Sequence, residues 1–339
     1  MKFGAHLLPT YVPELDGPVT EFYRRMFEQI VELETLGFSH AWVTEHHFGD
    51  YGGSIPHPPT FLSAVACKTT RIRLGVAVAV LPLNHPVSLA EAYGMVDVVS
   101  NGRLDFGIGK GSEPIEYVRF GANRDEATRR MIEGTEIICR AWSGEPVHFH
   151  GEFFNCDNVR VLPKPVQRPH PPIWVGATRT EETFRWAGEK GFNLMTIPFV
   201  HPSEESLRDR VEIYRQALRE GAHDMETRQI LGKFHIYVAD SLAQGIRAAS
   251  PYMKNYSAIH AAVDPNRKLT HRDITLDMER GFIIVGDPQR CIDTILRWRE
   301  KAGLTTFSFT FYFGGMPQEM ALKNIRLFAE RVMPALEQV

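Results

Sequence analysis

Glu34-Thr35-Leu36-Gly37-Phe38-Ser39-His40-Ala41-Trp42-Val43-Thr44 holds a helix end, a glycine and an apolar strand in one unbroken stretch. The same joint recurs at Lys190-Gly191-Phe192 and Ala302-Gly303-Leu304. A glycine just past a helix adopts the left-handed conformation without a Cβ penalty, so each joint reads as a tight turn from helix into strand. Working outward, residues 2–8, 39–44, 72–80, 103–108, 172–177, 192–197, 231–239 and 305–313 read as strands. The segments between them have helical period. Met26, Ile30 and Leu33 mark the first helix, Met131, Ile138 and Trp142 one face of 124–143, and Ala321, Ile325, Phe328 and Val332 the last. Parallel strands need crossover connections, and eight strand–helix units close most economically into a (β/α)8 TIM barrel.

Two segments interrupt the alternation. Residues 146–171, whose proline-rich end Pro169-His170-Pro171 runs into Pro172 of strand five, read as a hairpin and loop before that strand. Residues 250–282, between strands seven and eight, read as a long polar loop at the mouth of the barrel. Long loops in compact domains are usually functional or mobile, so a lid is expected there. With no internal repeat, residues 1–339 are assigned to one domain.

The charge balance, −3 with histidine neutral, is too even to expect a nucleic-acid or membrane-surface partner. No apolar run is long enough for a bilayer span. Met1 to Leu8 lacks the basic segment and cleavage site of a signal peptide and reads as the first strand. Cys67, Cys139, Cys156 and Cys291 lie far apart, and Cys67 and Cys139 sit beside apolar residues on helical patterns. Free buried thiols in a reducing cytoplasm are expected.

Barrel chemistry sits at the C-terminal ends of the strands. Strand two ends in Glu45-His46-His47-Phe48, a carboxylate and two imidazoles. Adjacent residues of a strand face opposite sides, so His46 and His47 do not both face the centre. The fourteen histidines have no metal-ligand spacing, and no metal is expected. Strand three, Gly75-Val76-Ala77-Val78-Ala79-Val80, has small residues that let a flat ligand approach, although a plain buried strand reads the same way. Strand four runs into Gly107-Ile108-Gly109-Lys110-Gly111-Ser112-Glu113, which lacks the spacing of a dinucleotide fingerprint but suits an anion held by backbone N–H groups and an ammonium. After strand five comes Arg179-Thr180-Glu181-Glu182-Thr183. Thr180 fits a helix N-cap, and hydroxyls with an arginine at a helix start suit phosphate; a capping box is the structural alternative.

Together these pieces resemble the bacterial luciferase-like, flavin-dependent monooxygenase family over nearly the whole chain. The resemblance rests on Glu45-His46-His47-Phe48, Leu81-Pro82-Leu83-Asn84-His85-Pro86-Val87, Gly102-Arg103 to Gly107-Ile108, Val285-Gly286-Asp287-Pro288 and Gly314-Gly315-Met316-Pro317-Gln318-Glu319, in that order. It implies reduced FMN bound at the barrel mouth, reaction with O2, and transfer of oxygen to an organic substrate. His46 corresponds to the family histidine beside the flavin, and Ala77 and Val78 to a cis-peptide pair behind the ring. Lys110 stands where luciferase has a phosphate-binding arginine, and Thr180 and Thr183 match hydroxyls at the phosphate. Arg179 replaces a glutamate, and Ser112 and Glu113 replace larger residues.

The resemblance implies a two-component enzyme fed by a separate NAD(P)H:flavin reductase. His46 is expected to move a proton, oriented by Glu45 or His47. A small apolar substrate is expected against Phe48, Tyr51, Phe199, Phe311 and Phe313. A homodimer is expected through the helix after strand three, on Leu89, Ala92, Tyr93 and Val96. The alternatives are an F420-dependent hydride-transfer enzyme and a flavin-binding relative without turnover. Neither the substrate nor light emission is readable.

Overall fold

The computed structural model describes residues 1–263 and 273–337. Its strands are β1 (Lys2–Leu7), β2 (His40–Val43), β3 (Arg73–Val80), β4 (Leu104–Gly109), β5 (Val147–His150), β6 (Asn155–Val159), β7 (Ile173–Gly176), β8 (Asn193–Thr196), β9 (Ile230–Val238), β10 (Ile284–Gly286) and β11 (Thr306–Thr310). Eight of them close a parallel barrel in the order β9-β11-β1-β2-β3-β4-β7-β8, with β8 returning to β9. β5 and β6 form the expected hairpin ahead of β7. The short β10 was not foreseen. It pairs with Ile236–Val238 of β9, beyond the point where β11 stops.

The helices are α1 (Pro13–Asp16), α2 (Val19–Thr35), α3 (Pro58–Ala66), α4 (Pro86–Val99), α5 (Pro114–Phe120), α6 (Ala127–Ser143), α7 (Glu181–Glu189), α8 (Glu204–Glu220), α9 (Leu242–Ala262), α10 (Ile274–Arg280), α11 (Pro288–Ala302), α12 (Gln318–Arg331) and α13 (Met333–Glu337). Their apolar stripes cover the outside of the barrel, and Met26, Ile30, Leu33, Met131, Ile138, Trp142, Ile325 and Phe328 are all buried there. The three glycine joints take positive φ: 87° at Gly37, 63° at Gly191 and 71° at Gly303. These are conformations that L side chains rarely adopt, so the joints depend on glycine.

Residues 250–282 are not an irregular loop. Residues 250–262 continue α9 through Pro251, and Ile274–Arg280 form α10. Pro251 removes one helical hydrogen bond, and the helix buries only Gly245, Ala249 and Met253. That narrow stripe packs with Met278, Ile283, Val285 and Phe313. Asn266, Arg267 and Lys268, counted toward the expected lid, lie outside the described residues. Two further expectations are corrected. Cys67 is exposed rather than buried. On α4, Leu89, Tyr93 and Val96 are buried within the subunit and unavailable to a partner, because a helix of a barrel must first cover the sheet. The large apolar residues that α4 leaves exposed are Met95, Val98 and Val99, beside exposed Ser88 and Glu91.

The barrel interior begins with a packed floor. Asp105 accepts from Arg73 Nε at 2.6 Å and Trp174 Nε1 at 3.0 Å, with His40 Nε2 3.4 Å away. Trp42 stacks on His40 and meets Trp174 edge-on. Above this floor the strands open toward the mouth.

Candidate active site

Where β2 ends, His46 turns toward the barrel mouth and His47 away from it. His46 Nδ1 lies 3.1 Å from Glu116 Oε1, and the same oxygen accepts the His47 backbone N–H at 2.8 Å. Glu116 comes from α5 and is almost wholly buried; its second oxygen has no partner among the described residues. The carboxylate that orients His46 is therefore Glu116, not Glu45, and His47 does not orient it either. Glu45 instead joins β2 to the end of β3. It accepts from the Val80 N–H at 3.1 Å and Asn84 Nδ2 at 3.0 Å, and sits 3.3 Å from His47 Nε2. The His47 ring packs edge-on against Phe120, 4.8 Å between centroids.

The wall beside His46 is made by β3, β4 and β7. The Ala77–Val78 peptide is cis. The β3–β4 register shifts between Val76 and Ala79. Glycines make room for that irregularity. A Cβ at Gly107 would meet the Val76 carbonyl at 2.0 Å, and Cβ atoms at Gly109 and Gly176 would meet Val78 at 2.5 and 2.8 Å. The glycine run of strand four thus serves close packing on β3. Ala77, Val78 and Gly176 stay partly accessible although their strands lie inside the protein, so they border open space. Below them are Trp42, Trp174, Met195 and Leu231.

Lys110 follows β4 and lies near the start of α7. Burial lowers its pKa, and the nearby Glu182 carboxylate opposes that shift. Arg124, which sequence reasoning missed, adds a second positive charge in the same neighbourhood. Thr180 occupies the N-cap position of α7 with extended backbone but makes no side-chain cap, so no capping box forms. The Thr183 hydroxyl is buried in the first turn without a partner among the described residues. An ammonium, the N–H groups at a helix start and an unspent hydroxyl suit an anion, although the Thr183 N–H already donates to the Thr180 carbonyl at 3.1 Å. Arg179 is exposed and lies toward His201, whose pKa falls to about 4 through burial and then the charges of Arg210 and Arg179. Ser112 is exposed and donates to Glu113 Oε1 at 2.7 Å. Lys110 and the α7 residues therefore converge; Arg179 and Ser112 stand to the side.

α9 covers the mouth. Tyr256 and Tyr51 share a hydrogen bond at 2.8 Å, and His260 stacks on Tyr51 with centroids 4.1 Å apart. His260 Nε2 is also 3.2 Å from Glu113 Oε1. The Tyr51 ring lies 5.1 Å from that of His46. Of the aromatic residues expected to meet substrate, Tyr51, Phe199 and Phe313 do gather here, the last two against His235. Phe311 faces the other way and packs on Phe38 and Phe328 beneath the helices. Phe48 is half exposed, beside Phe120 and Arg119. Lys233 and His235 on β9 were missed. Their signal is a Lys and a His two apart in the apolar run Ile230 to Val238, which puts both on the inward face.

Comparison with known proteins agrees with this arrangement. A family model described as luciferase-like monooxygenase matches residues 1–306. The oxygenase component of flavin-dependent trigonelline monooxygenase from Acinetobacter baylyi is 30% identical over 335 residues, covering 93% of this chain and 91% of that protein. The crystal structure of monooxygenase RslO1 from Streptomyces bottropensis superposes with a TM-score of 0.92 at 30% identity, covering 99% of this chain and 100% of that one. The coenzyme F420-dependent tetrahydromethanopterin reductase from Methanopyrus kandleri shares the fold, with a TM-score of 0.72 at 20% identity over 98% of this chain and 99% of that one.

Proposed function

The chain belongs to the luciferase-like monooxygenase family, and on that premise we propose that it is the oxygenase component of a two-component system, using reduced FMN and O2 to oxygenate a small organic substrate. The observation that supports this most is His46, held by buried Glu116 at the edge of the open space bordered by Ala77 and Val78. The residues present fit FMN. The unpartnered Thr183 hydroxyl, the N–H groups of α7, Thr180 and Lys110 would hold its phosphate. Ala77 and Val78 would back its ring. When bound, reduced FMN supplies the electrons that activate O2.

His46 moves the proton. Glu116 engages Nδ1, which fixes the ring and leaves Nε2 to donate or accept at the ligand. Glu45 and His47 brace the ends of β2 and β3. Tyr51, Tyr256 and His260 close the site and exclude water. Arg179 and Ser112 act at the rim of the phosphate site. The reductant comes from a separate NAD(P)H:flavin reductase, a reading supported by the trigonelline relative's being an oxygenase component.

The enzyme is a cytoplasmic homodimer in this reading. Its four free thiols fit a reducing compartment. Exposed Met95, Val98 and Val99 of α4 provide an apolar contact in place of the buried stripe. No helix among the described residues is long and apolar enough to cross a membrane. A monomer in sedimentation at micromolar concentration would remove the dimer. The catalytic proposal is tested by supplying reduced FMN from a separate reductase under 18O2 and screening aldehydes, cyclic ketones, alkanes and sulfur compounds. One labelled oxygen in the product is expected. Anaerobic reduction of F420 by a substrate, with no 18O incorporated when reduced FMN and 18O2 are supplied, would replace the oxygenase reading with hydride transfer.

A further inference from the structure

Inside the barrel, across from the Lys110 side, β9 and β11 present a second group of polar residues. Lys233 and Ser308 are register partners, as are His235 and Thr310. His6, from β1 on the far side of β11, lies close enough that the charges of Lys233, His235 and His46 all bear on it. His6 Nε2 is engaged by Thr44 at 2.7 Å. The others are unspent: His235 Nε2, Ser308 Oγ and Thr310 Oγ1 are buried without a partner among the described residues. Lys233 likewise has no acidic neighbour there. Burial alone acts on its ammonium, bringing the pKa down to about 7. Yet Lys233 keeps an accessible fraction deep within the fold, so its side chain meets open space rather than packed atoms.

We propose that Lys233, with His235, Ser308 and Thr310, binds the carboxylate of an organic substrate, placing that anion at the bottom of the pocket whose upper end is His46. A buried ammonium without a counter-charge is costly, and a carboxylate ligand would supply the missing charge and accept from the idle donors. One cation among neutral donors matches a monoanion better than a phosphate dianion. The walls match the rest of such a molecule. Tyr256 and Phe313 lie edge-on to His235, at 4.7 and 5.3 Å between centroids, and Phe199 stands at 6.4 Å. Tyr256 leads on through Tyr51 to His46. These side chains therefore form a line from an anion end through an aromatic middle to the residue proposed to move the proton.

This assignment names the substrate class for the oxygenase site proposed above and rests on that reading. Its test is a binding measurement on the full flavin-free chain, so it can fail separately from the oxygen-incorporation assay. The probes are benzoate and its neutral counterpart benzamide, followed by calorimetry at pH 6, where the ammonium is charged. Benzoate should bind about tenfold tighter or better, as a charge-assisted pair gives. Lys233→Met should bring the two within about twofold, while FMN affinity and the circular dichroism spectrum stay unchanged. Lys233→Arg should keep most of the preference, and Ser308→Ala part of it; these variants decide the matter if the Met variant fails to fold. Equal binding of benzoate and benzamide by the native chain would overturn the proposal. So would a preference that survives Lys233→Met, or a loss of FMN affinity with the benzoate preference intact, which would assign the lysine to the cofactor.

Discussion

The floor and the mouth of this barrel treat buried charge in opposite ways. At the floor, Asp105 is engaged by Arg73 and Trp174, with His40 close by, so the charges are matched inside the protein, although the Trp42 indole N–H beside them has no partner among the described residues. Toward the mouth, among the described residues, Lys233 stands without an acid, Glu116 has an idle oxygen, and Thr183, His235, Ser308 and Thr310 end in unpartnered polar atoms. Asp105, Glu116, His235, Ser308 and Thr310 are all buried, so burial alone does not explain the difference. A closed network gains by satisfying every member, whereas an open one is tolerated where a ligand completes it. The floor reads as structure and the mouth as function.

The largest effect should come from the floor. Asp105→Ala leaves Arg73 Nε and the Trp174 N–H without their acceptor, although Arg73 Nη2 keeps Leu104 O and Gln167; loss of one partner of a buried ion pair costs about 3–5 kcal/mol. Denaturant midpoints should show that loss at an unchanged slope. A variant as stable as the native chain would break the contrast between the two ends.

The floor also predicts acid sensitivity. Burial, opposed by Asp105, brings the His40 pKa from 6.5 to about 4. The unfolded chain then binds a proton between those values that the folded chain does not. The contribution is fully present above about pH 6.5 and is lost as the pH falls toward 4, by roughly 3 kcal/mol at most. Melting temperature followed from pH 7 to 4.5 should drop, and less so in His40→Gln. The same slope in both proteins would remove His40 from the account.

At the mouth the effects move from stability to turnover. His46→Ala should lower kcat by about a hundredfold or more with the melting temperature nearly unchanged. Glu116→Gln should cost about tenfold, because Glu116 acts through His46. The double variant should be no slower than His46→Ala alone, since residues working as one unit are not additive. Multiplying penalties would show that Glu116 does something other than hold His46.

Sequence reasoning placed the eight barrel strands within a few residues because each has a strong local signature. Gly37, Gly191 and Gly303 mark the helix ends, and the buried stripes repeat at helical period. It failed where the signal is weak or distant. Pro251 and a narrow stripe of small residues hid the second half of α9, and β10 is too short to carry a pattern. On α4, period alone could not say whether Leu89, Tyr93 and Val96 face the sheet or a second subunit. Glu116 is seventy residues from His46 and belongs to a seven-residue helix, so only the folded chain brings them together. Lys110, Thr180 and Thr183, proposed above for the phosphate, stand at a strand end and a helix start, positions that the sequence marks locally. Lys233 is legible as a charge inside an apolar strand, but it lies mid-strand rather than at a strand end, where barrel chemistry is expected.

The smallest predicted effect is the sharpest test of the contrast. Thr183→Val replaces a buried hydroxyl by a methyl of nearly the same shape, in the first turn of α7. In a satisfied network that change would cost a hydrogen bond. Here the hydroxyl has no partner among the described residues, so its removal relieves an unmet polar group. The flavin-free protein should be as stable as the native chain, or firmer by up to about 1 kcal/mol. FMN affinity should fall several-fold, because one donor to the phosphate is gone while Lys110 and the helix N–H groups stay. Riboflavin, which has no phosphate, should bind both proteins equally. Thermal melts of the flavin-free protein and fluorescence titrations with the two flavins read all three quantities. A clear loss of stability without flavin would mean that Thr183 belongs with the satisfied groups of the floor. A matching loss of riboflavin affinity would move it away from the phosphate.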